Sequence, residues 1–533
     1  MKKLKLVCVA IAMACATPTL AGGLLTNTNQ HVAFNRMMSR EAAIGIDGGY
    51  YNPAGVVFMG EGHHLAINWQ LAFQSRTINN DYDLFTNNVN NPITPRDFKG
   101  TALAPVIPSF QYAYNKGKWS FQASFALTGG GGKCTFDDGL GSFEKIVAET
   151  AIAACQLAGA VDQVAGDYGV PAIFSNNQCF GTEGKYSYNS YMHGRQYYYG
   201  LSAGAAYKFS DNFSAFLGVR GIYALTNYYG YVENIQVGQM PLYKVLNPAK
   251  ESSANIELSC DQSGVGFTPI IGVDYKTGRW NFSAKYEFKT RIRLKNKSVN
   301  QTPSIGNLPA NLANQMTGIL TDKFHNAGLP LEQAKQQAEN TTNAVLHDPT
   351  VGATMMGLKT QFDQKLNKAI GEYEDGKKIA GDIPGYLALG IGYSPVDAVR
   401  VNVGFHWFDD KNATSYNNRN KELKRGTLEY NAGVEVDVNK KITLSTGWQI
   451  TNYGLSDEYM DDKSFVVGSN SAAIGGVYHI NKKIDLNVAY FHTFYQHKKT
   501  SETVQLAADK SIVYNSDYTR NNNVFAVGLD IIF

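Results

Sequence analysis

Beyond its first residues, the 533-residue chain has no stretch approaching the roughly 18 uninterrupted apolar residues of a membrane-spanning helix. If the mature chain lies in a membrane, it must therefore cross it as strands.

Net charge is also small, at +3, and no basic run is long enough to form a tail, which argues against a nucleic-acid partner. No phosphate-binding glycine loop followed by Lys and Ser or Thr occurs, and we expect no cofactor.

The first residues predict export. Three lysines precede an apolar run from Leu6 to about Ala16, and the tripeptide Thr19-Leu20-Ala21 offers the small residues that a signal peptidase requires before Gly22. We therefore expect residues 1 to 21 to be a signal peptide. A lipoprotein signal cleaved before Cys15 is the alternative, but its box is a poor match.

Cysteine is sparse. Of the six in the chain, two leave with the signal peptide. An even number in an oxidising compartment favours one or two disulfides over a metal site, and no pair has the spacing of a zinc knuckle. The disulfide candidates are Cys134, Cys155, Cys179 and Cys260. The pair His63-His64 is too small a set for a metal centre, so no metal site is predicted.

What the chain does contain is a long series of alternating segments. Stretches in which every second residue is apolar, bounded by turn residues, predict about fourteen strands. They lie near 63–78, 102–115, 118–130, 192–208, 212–229, 264–276, 279–294, 384–394, 397–409, 426–438, 441–453, 464–479, 483–499 and 517–533. Short turns alternate with long loops along the series. An even strand number with short turns on one side and long loops on the other is typical of a transmembrane antiparallel β-barrel, an all-β fold.

The last strand supports a membrane location. Phe525, Val527 and Leu529 share the face that would contact lipid, while Val524 and Ala526 share the face that would line the lumen. The chain ends on Phe533, and bacterial outer-membrane barrels resemble one another in ending on an aromatic residue that their assembly machinery recognises. We expect this strand to pair with the first one, leaving no edge exposed in lipid.

Two long loops contain helical patterns. The first includes an amphipathic stretch at 143–164, and the second includes three, at 311–324, 331–346 and 356–373. Loops of this length usually have a function. Here they predict apolar helices over one end of the barrel, either as a surface for a hydrophobic ligand or as a simple shield.

About forty residues, 22 to 62, separate the predicted cleavage site from the first strand. They contain Ala42-Ala43-Ile44-Gly45-Ile46-Asp47-Gly48-Gly49-Tyr50-Tyr51-Asn52-Pro53-Ala54-Gly55. In this position, ahead of a fourteen-strand pattern with helix-bearing loops, the segment resembles the N-terminal region of FadL-type outer-membrane transporters of long-chain fatty acids and aromatic hydrocarbons. The resemblance in residues covers about 40 to 58 and the terminal strand.

The resemblance implies three domains or segments: the signal peptide, a hatch formed by residues 22 to 62 inside the barrel, and a barrel formed by 63 to 533. Asn52, Pro53 and Ala54 take the hatch-motif positions; a turn leading into the first strand is the structural alternative. In such transporters a hydrophobic molecule leaves sideways where the third strand bends. Gly129, Gly130, Gly131 and Gly132 are our candidates for that lateral opening, because glycine within a strand often marks a bend.

A carboxylate ligand would need a cation inside the barrel. By strict alternation, Lys289, Arg291 and Arg293 fall on the same face as Asn281 and Glu287, which predicts that they point inward. Arginine binds carboxylates bidentately, so these residues are the predicted head-group site. Neutralising lumen acids is the alternative.

No spacing of Ser, His and Asn or Asp predicts a catalytic site, so no enzyme activity is expected. The sequence therefore predicts a monomeric barrel in the outer membrane of a Gram-negative bacterium, with membrane lipids, a hydrophobic ligand and the barrel assembly machinery as partners. A general porin or a surface adhesin is the alternative, although a general porin would not need a hatch or apolar helical loops.

Overall fold

The structure, a computed structural model, describes residues 24–170, 172–175, 179–303, 307–507 and 510–533. The predicted signal peptide lies outside the described residues. Among the helices in the described ranges, none is both long and apolar enough to span a membrane.

Within the described residues, fourteen antiparallel strands form one closed wall, as the alternation predicted. Three of them are interrupted, so each consists of two segments that follow one another along a shared neighbouring strand. The segments, with the short β6, are β1 (Gly62–Asp81), β2 (Arg96–Lys116), β3 (Trp119–Phe136), β4 (Tyr186–Lys208), β5 (Phe213–Val237), β6 (Met240–Pro241), β7 (Ile256–Thr277), β8 (Trp280–Glu287), β9 (Arg293–Gln301), β10 (Lys378–Ala380), β11 (Tyr386–Val396), β12 (Val399–Phe408), β13 (Thr427–Asn439), β14 (Ile442–Asn452), β15 (Ser469–Asn481), β16 (Ile484–Tyr495), β17 (Lys498–Ala507) and β18 (Lys510–Ile532). The interrupted wall strands are β8 with β9, β10 with β11, and β16 with β17.

The first and last strands close the wall. β1 pairs with β18 along its whole length, from His64 opposite Ile532 to Asp81 opposite Asn515. At the end, the backbone N–H of His63 donates to Phe533 O at 2.9 Å, and the N–H of Phe533 donates back at 3.0 Å. The predicted pairing of the terminal strands is therefore confirmed.

Side chains alternate between the two faces of the wall. On β18, Phe525 is 48% exposed, whereas its neighbour Val524 is fully buried. The same alternation runs through β1, where Trp69 points outward and Gln70 points inward. A wall whose outer side is apolar and whose inner side is largely polar is that of a transmembrane barrel.

Helices lie in the long connections, as predicted. They are α1 (Val32–Met37), which precedes the wall, α2 (Gly141–Asp167), α3 (Tyr243–Leu246), α4 (Leu308–Asn326), α5 (Leu331–Leu346) and α6 (Pro349–Ile370). The connection between β3 and β4 contains α2, and that between β9 and β10 contains α4, α5 and α6. Their buried faces, including Val147, Ala151, Leu312 and Met316, form one hydrophobic cluster at the long-loop end of the wall.

The N-terminal segment, residues 24 to 61, approaches the wall closely where the wall has glycine. A Cβ atom added at Gly447 on β14 would lie 1.7 Å from the carbonyl oxygen of Met37, and one added at Gly433 on β13 would lie 2.0 Å from the same atom. No side chain fits at these distances. The two glycines therefore let the end of α1 rest directly on the barrel backbone.

We expect Gly447→Ala to displace α1 from the wall and to open a path for small polar solutes. The added methyl group meets a backbone oxygen rather than a flexible side chain, so relief requires the segment itself to move. Swelling of proteoliposomes in sugar solution measures the leak. Gly221→Ala on β5 is the matched control, because its Cβ would meet ordinary contacts at 3.7 Å. Equal swelling of Gly447→Ala and wild type would contradict this account of the fit.

Candidate functional site

The N-terminal segment contacts strands on all sides of the wall. Ser109 on β2 donates to Gln30 O at 2.7 Å, Lys285 on β8 donates to Tyr50 O at 2.6 Å, and Asn487 on β16 accepts from Arg36 Nε at 3.2 Å. The segment thus contacts inward-facing side chains of strands that lie far apart around the wall. Its backbone polar groups therefore find partners among lumen-facing side chains instead of water.

Two arginines of the segment share one wall carboxylate. Glu435 on β13 forms ion pairs with Arg36 and with Arg40, the latter at 3.2 Å. Arg40 also binds Asp47 of its own segment, with Nε to Oδ2 at 2.7 Å. All four side chains are less than a tenth exposed. Removing one member of such a buried set leaves an unpaired charge, which typically costs about 3–5 kcal/mol.

A second ionic contact joins the segment to β12. His406 lies between two carboxylates: its Nε2 is 2.7 Å from Glu41 of the segment and its Nδ1 is 2.8 Å from Glu429 of β13. The three side chains are at most 1% exposed. Because both ring nitrogens face carboxylate oxygens, both donate, and the ring serves as a cationic bridge between segment and wall.

The predicted hatch motif is tied to three strands. Asn52 Nδ2 donates to Asp274 Oδ2 on β7 at 2.5 Å, and the N–H of Gly55 donates to Asn52 Oδ1 at 3.1 Å. Gln122 on β3 donates to Pro53 O, and Ser214 on β5 donates to Ala54 O, each at 2.7 Å. The Asn52 side chain thus stabilises a local turn through its oxygen and binds the carboxylate of Asp274 on the wall through its nitrogen. The sequence did not identify Asp274 as the partner, since 222 residues separate the two.

The four candidate glycines lie where the wall is interrupted. Pairing between β2 and β3 stops at Leu103 opposite Lys133 and resumes at Ser109 opposite Ala126, so residues 104–108 of β2 and 127–132 of β3 do not pair with each other. Pro105 and Pro108, which have no N–H, lie on the β2 side. Gly130 has φ +69°, and a Cβ there would lie 2.3 Å from Gln196 O. β3 bends inward at this point, with residues 126 to 132 all buried.

The start of the N-terminal segment takes the place of β2 beside the bend. The N–H of Asn27 donates to Thr128 O at 2.9 Å, and its side chain donates to Gly130 O at 2.7 Å. Thr26 forms a bridge with Gly129. The unpaired backbone of β3 is thereby satisfied from inside the lumen.

An apolar cluster of packed, buried side chains lies next to the interruption, and we call it the apolar chamber. Its rings include Phe34, Tyr51 and Phe491, and it reaches Ala104 on β2 and Leu127 on β3. Its members on the wall form a continuous row, in which each residue is directly opposite the next one on the neighbouring strand. In order around the wall they are Ala473 on β15, Phe491 on β16, Val524 on β18, Ala72 on β1 and Ala104 on β2. The chamber therefore borders the unpaired part of the wall.

A row of polar side chains, the polar ring, lies next to the chamber. It is two residues further along each strand, toward the long-loop end, and also faces inward. Its members are paired in the order Gln449 on β14, Ser471 on β15, Thr493 on β16, Asn522 on β18 and Gln74 on β1. The carboxamides of Gln449 and Asn522 are buried and have no hydrogen-bond partner among the described residues. Buried carboxamides without partners are unusual and indicate a place where a polar group can bind.

An arginine pair lies one further position up. Arg76 on β1 is directly opposite Arg520 on β18, both face the lumen, and they are 1% and 5% exposed. Like charges directly opposite each other are unfavourable in a sheet, so the pair favours an anion between them. Sequence reasoning missed both residues, although the alternation of β1 and β18 places them on the lumen face.

A groove lies above the arginine pair, among the loop helices. Ile152 and Leu157 of α2, Leu246 of α3 and Leu312 of α4 line it, with Leu506 at its edge. It contains about 980 Å³ of empty space, part of it open to solvent. The mainly apolar lining suits a hydrophobic molecule.

The predicted inward direction of Lys289, Arg291 and Arg293 is wrong. β8 ends at Glu287 and β9 begins at Arg293, and the irregular backbone between them shifts the alternation by one residue. Thr290, Ile292 and Leu294 are buried as a result, while Arg291 and Arg293 are exposed on the outer face. Lys289 is half-buried and donates to Asn412 O at 3.1 Å. These cations are not a lumen site.

The predicted disulfides do not form among the described residues: none of Cys134, Cys155, Cys179 and Cys260 is bonded to another cysteine. Cys134 is on β3 and Cys260 is on β7, with β4 and β5 between them in the wall, a separation of about 14 Å at ordinary strand spacing. That exceeds the reach of a disulfide. The Sγ of Cys155 instead lies 3.6 Å from Phe180 O, and burial raises the pKa of this thiol.

Comparisons with known proteins identify the fold. No family model matches the chain, and no curated protein matches it. A Pseudomonas aeruginosa FadL homologue of known structure superposes with a TM-score of 0.58 at 13% identity, covering 96% of this chain and 100% of that one. A deletion mutant of TodX, described as a monoaromatic hydrocarbon channel, superposes with a TM-score of 0.50 at 12% identity, covering 94% and 98%. At such low identity the likeness concerns the fold, and the chain has the fold of the FadL-type barrels.

Proposed function

We propose that this protein is an outer-membrane channel for hydrophobic molecules, and that its substrates are long-chain fatty acids. The observation that carries the proposal is the interruption of the wall between β2 and β3 beside an apolar chamber. An apolar ligand gains roughly 0.8 kcal/mol per buried methylene by avoiding water, so a sideways exit into lipid is its favoured path.

Capture takes place in the groove between α2, α3 and α4. Its leucine and isoleucine side chains offer an apolar surface at the long-loop end of the barrel, which in outer-membrane barrels faces outward from the cell. A molecule bound there lies above the lumen. The loop helices thus serve as a landing surface rather than as a simple shield.

The head group of the ligand binds below the groove. Arg76 and Arg520 provide two guanidinium groups, and Gln449 and Asn522 provide carboxamides one position lower. A carboxylate held there directs its alkyl chain into the apolar chamber. The order of cationic pair, polar ring and apolar ring supports an amphiphilic acid as the substrate.

Water is kept from following the ligand by the N-terminal segment. We assign residues 22 to 62 to a hatch inside a barrel formed by residues 63 to 533, after removal of a signal peptide at 1 to 21. Asn52-Pro53-Ala54 is the part of the hatch fixed to β3, β5 and β7. The ionic contacts of Arg36, Arg40 and Glu41 with the wall support a hatch that stays seated during transport.

Exit occurs through the lateral opening at Gly129 to Gly132. The bend of β3 leaves backbone on both strands without partners across the gap, and Ala104 and Leu127 join the apolar chamber to it. The ligand then enters the membrane without crossing the hatch. We further propose that the barrel is a monomer inserted by the assembly machinery, which would recognise the exposed Phe533.

A neutral aromatic substrate is the second candidate, favoured by the rings of the chamber. Phe34 stacks on Tyr51 with centroids 5.2 Å apart, and Tyr386 stacks on Phe408 at 4.6 Å. Such walls bind flat apolar molecules well. A substrate without a carboxylate would make no use of the arginine pair, so the two candidates differ in a testable way.

We expect the double variant Arg76→Gln with Arg520→Gln to lower uptake of labelled oleate by about tenfold or more, because charge-assisted hydrogen bonds to the carboxylate are lost. Uptake of labelled toluene should be unchanged. Arg279→Gln at the short-turn end, where the side chain is half exposed, is the control. A loss shared equally by oleate and toluene would contradict a head-group role, and unchanged oleate uptake would favour the neutral substrate.

We expect Ala104→Trp to lower uptake of oleate and toluene alike, by about tenfold, because the indole fills the buried side of the opening that both substrates use. Val106→Trp is the matched control, since Val106 lies two residues away, faces outward and is 62% exposed. Surface amounts of both variants are compared by immunoblot. Wild-type uptake by Ala104→Trp would place the exit elsewhere.

A further inference from the structure

Cations that the sequence predicted to face the lumen instead belong to a patch on the outside of the barrel. Arg291, Arg293, Lys295 and Lys297 alternate along the outer face of the wall strand that contains β9, and all four are exposed. Lys378 on β10 is also exposed and is directly opposite Lys295. We call these five residues the outer cationic patch.

Register gives the height of the patch relative to the membrane. On the neighbouring β7, outward side chains are apolar from Tyr275 up to Val265 and turn polar at Ser263. Ten residues of a tilted strand rise about 25 Å, the height of the apolar band of an outer-membrane barrel. Lys295 is paired with Ser263, so it lies just above the upper edge of this band. Lys297 lies one outward position higher and Arg293 one lower.

The other end of the band is marked by aromatic rings. Trp280 on β8 stacks on Tyr393 of β11 with centroids 4.3 Å apart, and both face outward near the short turns. Such girdles lie at membrane interfaces. The patch is therefore at the opposite interface, on the long-loop side, where lipid head groups of the outer leaflet contact the barrel.

Acidic neighbours do not neutralise the patch. Arg293 Nη1 binds Asp382 Oδ1 at 2.8 Å, yet the arginine side chain remains 52% exposed. Asp261 of β7 is opposite Lys297 and accepts from Asn227 at 2.8 Å. Asp375 is bound to the N–H of Ser298. The five cations thus outnumber these three acids, and the Lys295–Lys378 juxtaposition is unfavourable unless an anion lies between them.

We propose that the outer cationic patch binds the phosphate groups of a phosphorylated glycolipid of the lipid A type in the outer leaflet. Arginine grips phosphate bidentately, lysine adds point charges, and long side chains at the edge of the apolar band extend to the head-group level. The proposal rests on the outer-membrane location proposed above but not on the substrate of the channel. The bound glycolipid would contact the barrel beside β9 and β10, the strands joined by the connection that contains α4, α5 and α6.

The test compares two variants with equal charge change. The patch variant carries Arg291→Gln, Lys295→Gln, Lys297→Gln and Lys378→Gln, and leaves Arg293 with its partner Asp382. The control variant carries Lys440→Gln, Lys441→Gln, Lys482→Gln and Lys483→Gln, four exposed lysines at the short-turn end. Binding of hexa-acylated lipid A to the full-length protein in detergent is measured by native mass spectrometry, with phosphatidylglycerol and inorganic phosphate as competitors.

We expect the patch variant to bind lipid A about tenfold more weakly than wild type, and the control variant to stay within about twofold. Equal affinity of the patch variant and wild type would overturn the proposal. Displacement of lipid A by equimolar phosphatidylglycerol or inorganic phosphate would also overturn it, because the site would then recognise any phosphate. Oleate uptake by wild type is measured separately, so failure of the proposed transport leaves the lipid A result unaffected.

Discussion

The structure depends on satisfying the buried polar groups of the N-terminal segment. A charge buried away from water needs a partner, and the charges of this segment find theirs on the wall or within the segment itself. Glu435 serves Arg36 and Arg40, and His406 joins Glu41 to Glu429. Gly433 and Gly447 allow the backbone of the segment to reach the wall at Met37. These contacts hold the N-terminal segment against side chains of β12 and β13 and against the backbone of β13 and β14.

The proposed ligand path lies on the long-loop side of the N-terminal segment. There the wall presents an arginine pair, a polar ring and an apolar ring in successive registers. The apolar ring borders the interruption between β2 and β3, where Asn27 of the N-terminal segment bonds to the bent strand. The N-terminal segment therefore contacts both the charged side chains of the wall and the bent part of β3. In the proposed function, this one segment blocks water and borders the exit of the ligand into lipid.

Much of the fold was predictable because strand alternation is a local property. The fourteen strands, the closing pair and the loop helices all follow from short-range periodicity. Alternation fails where a strand is interrupted, and the irregular residues between Glu287 and Arg293 turned predicted lumen cations outward. Contacts such as Asn52 with Asp274, or Arg76 opposite Arg520, join residues hundreds of positions apart and depend on strand register. The pairing of cysteines likewise depends on which strands separate them.

The central claim is that the barrel admits hydrophobic acids while excluding polar solutes of smaller size. Its most direct test is to express the wild-type protein in a bacterial strain whose outer membrane has no other uptake channels, and to measure entry of labelled oleate and labelled glucose side by side. The account predicts that expression accelerates oleate entry and leaves glucose entry at the level of the empty strain. Equal acceleration of glucose entry would contradict it and would identify the protein as a general pore.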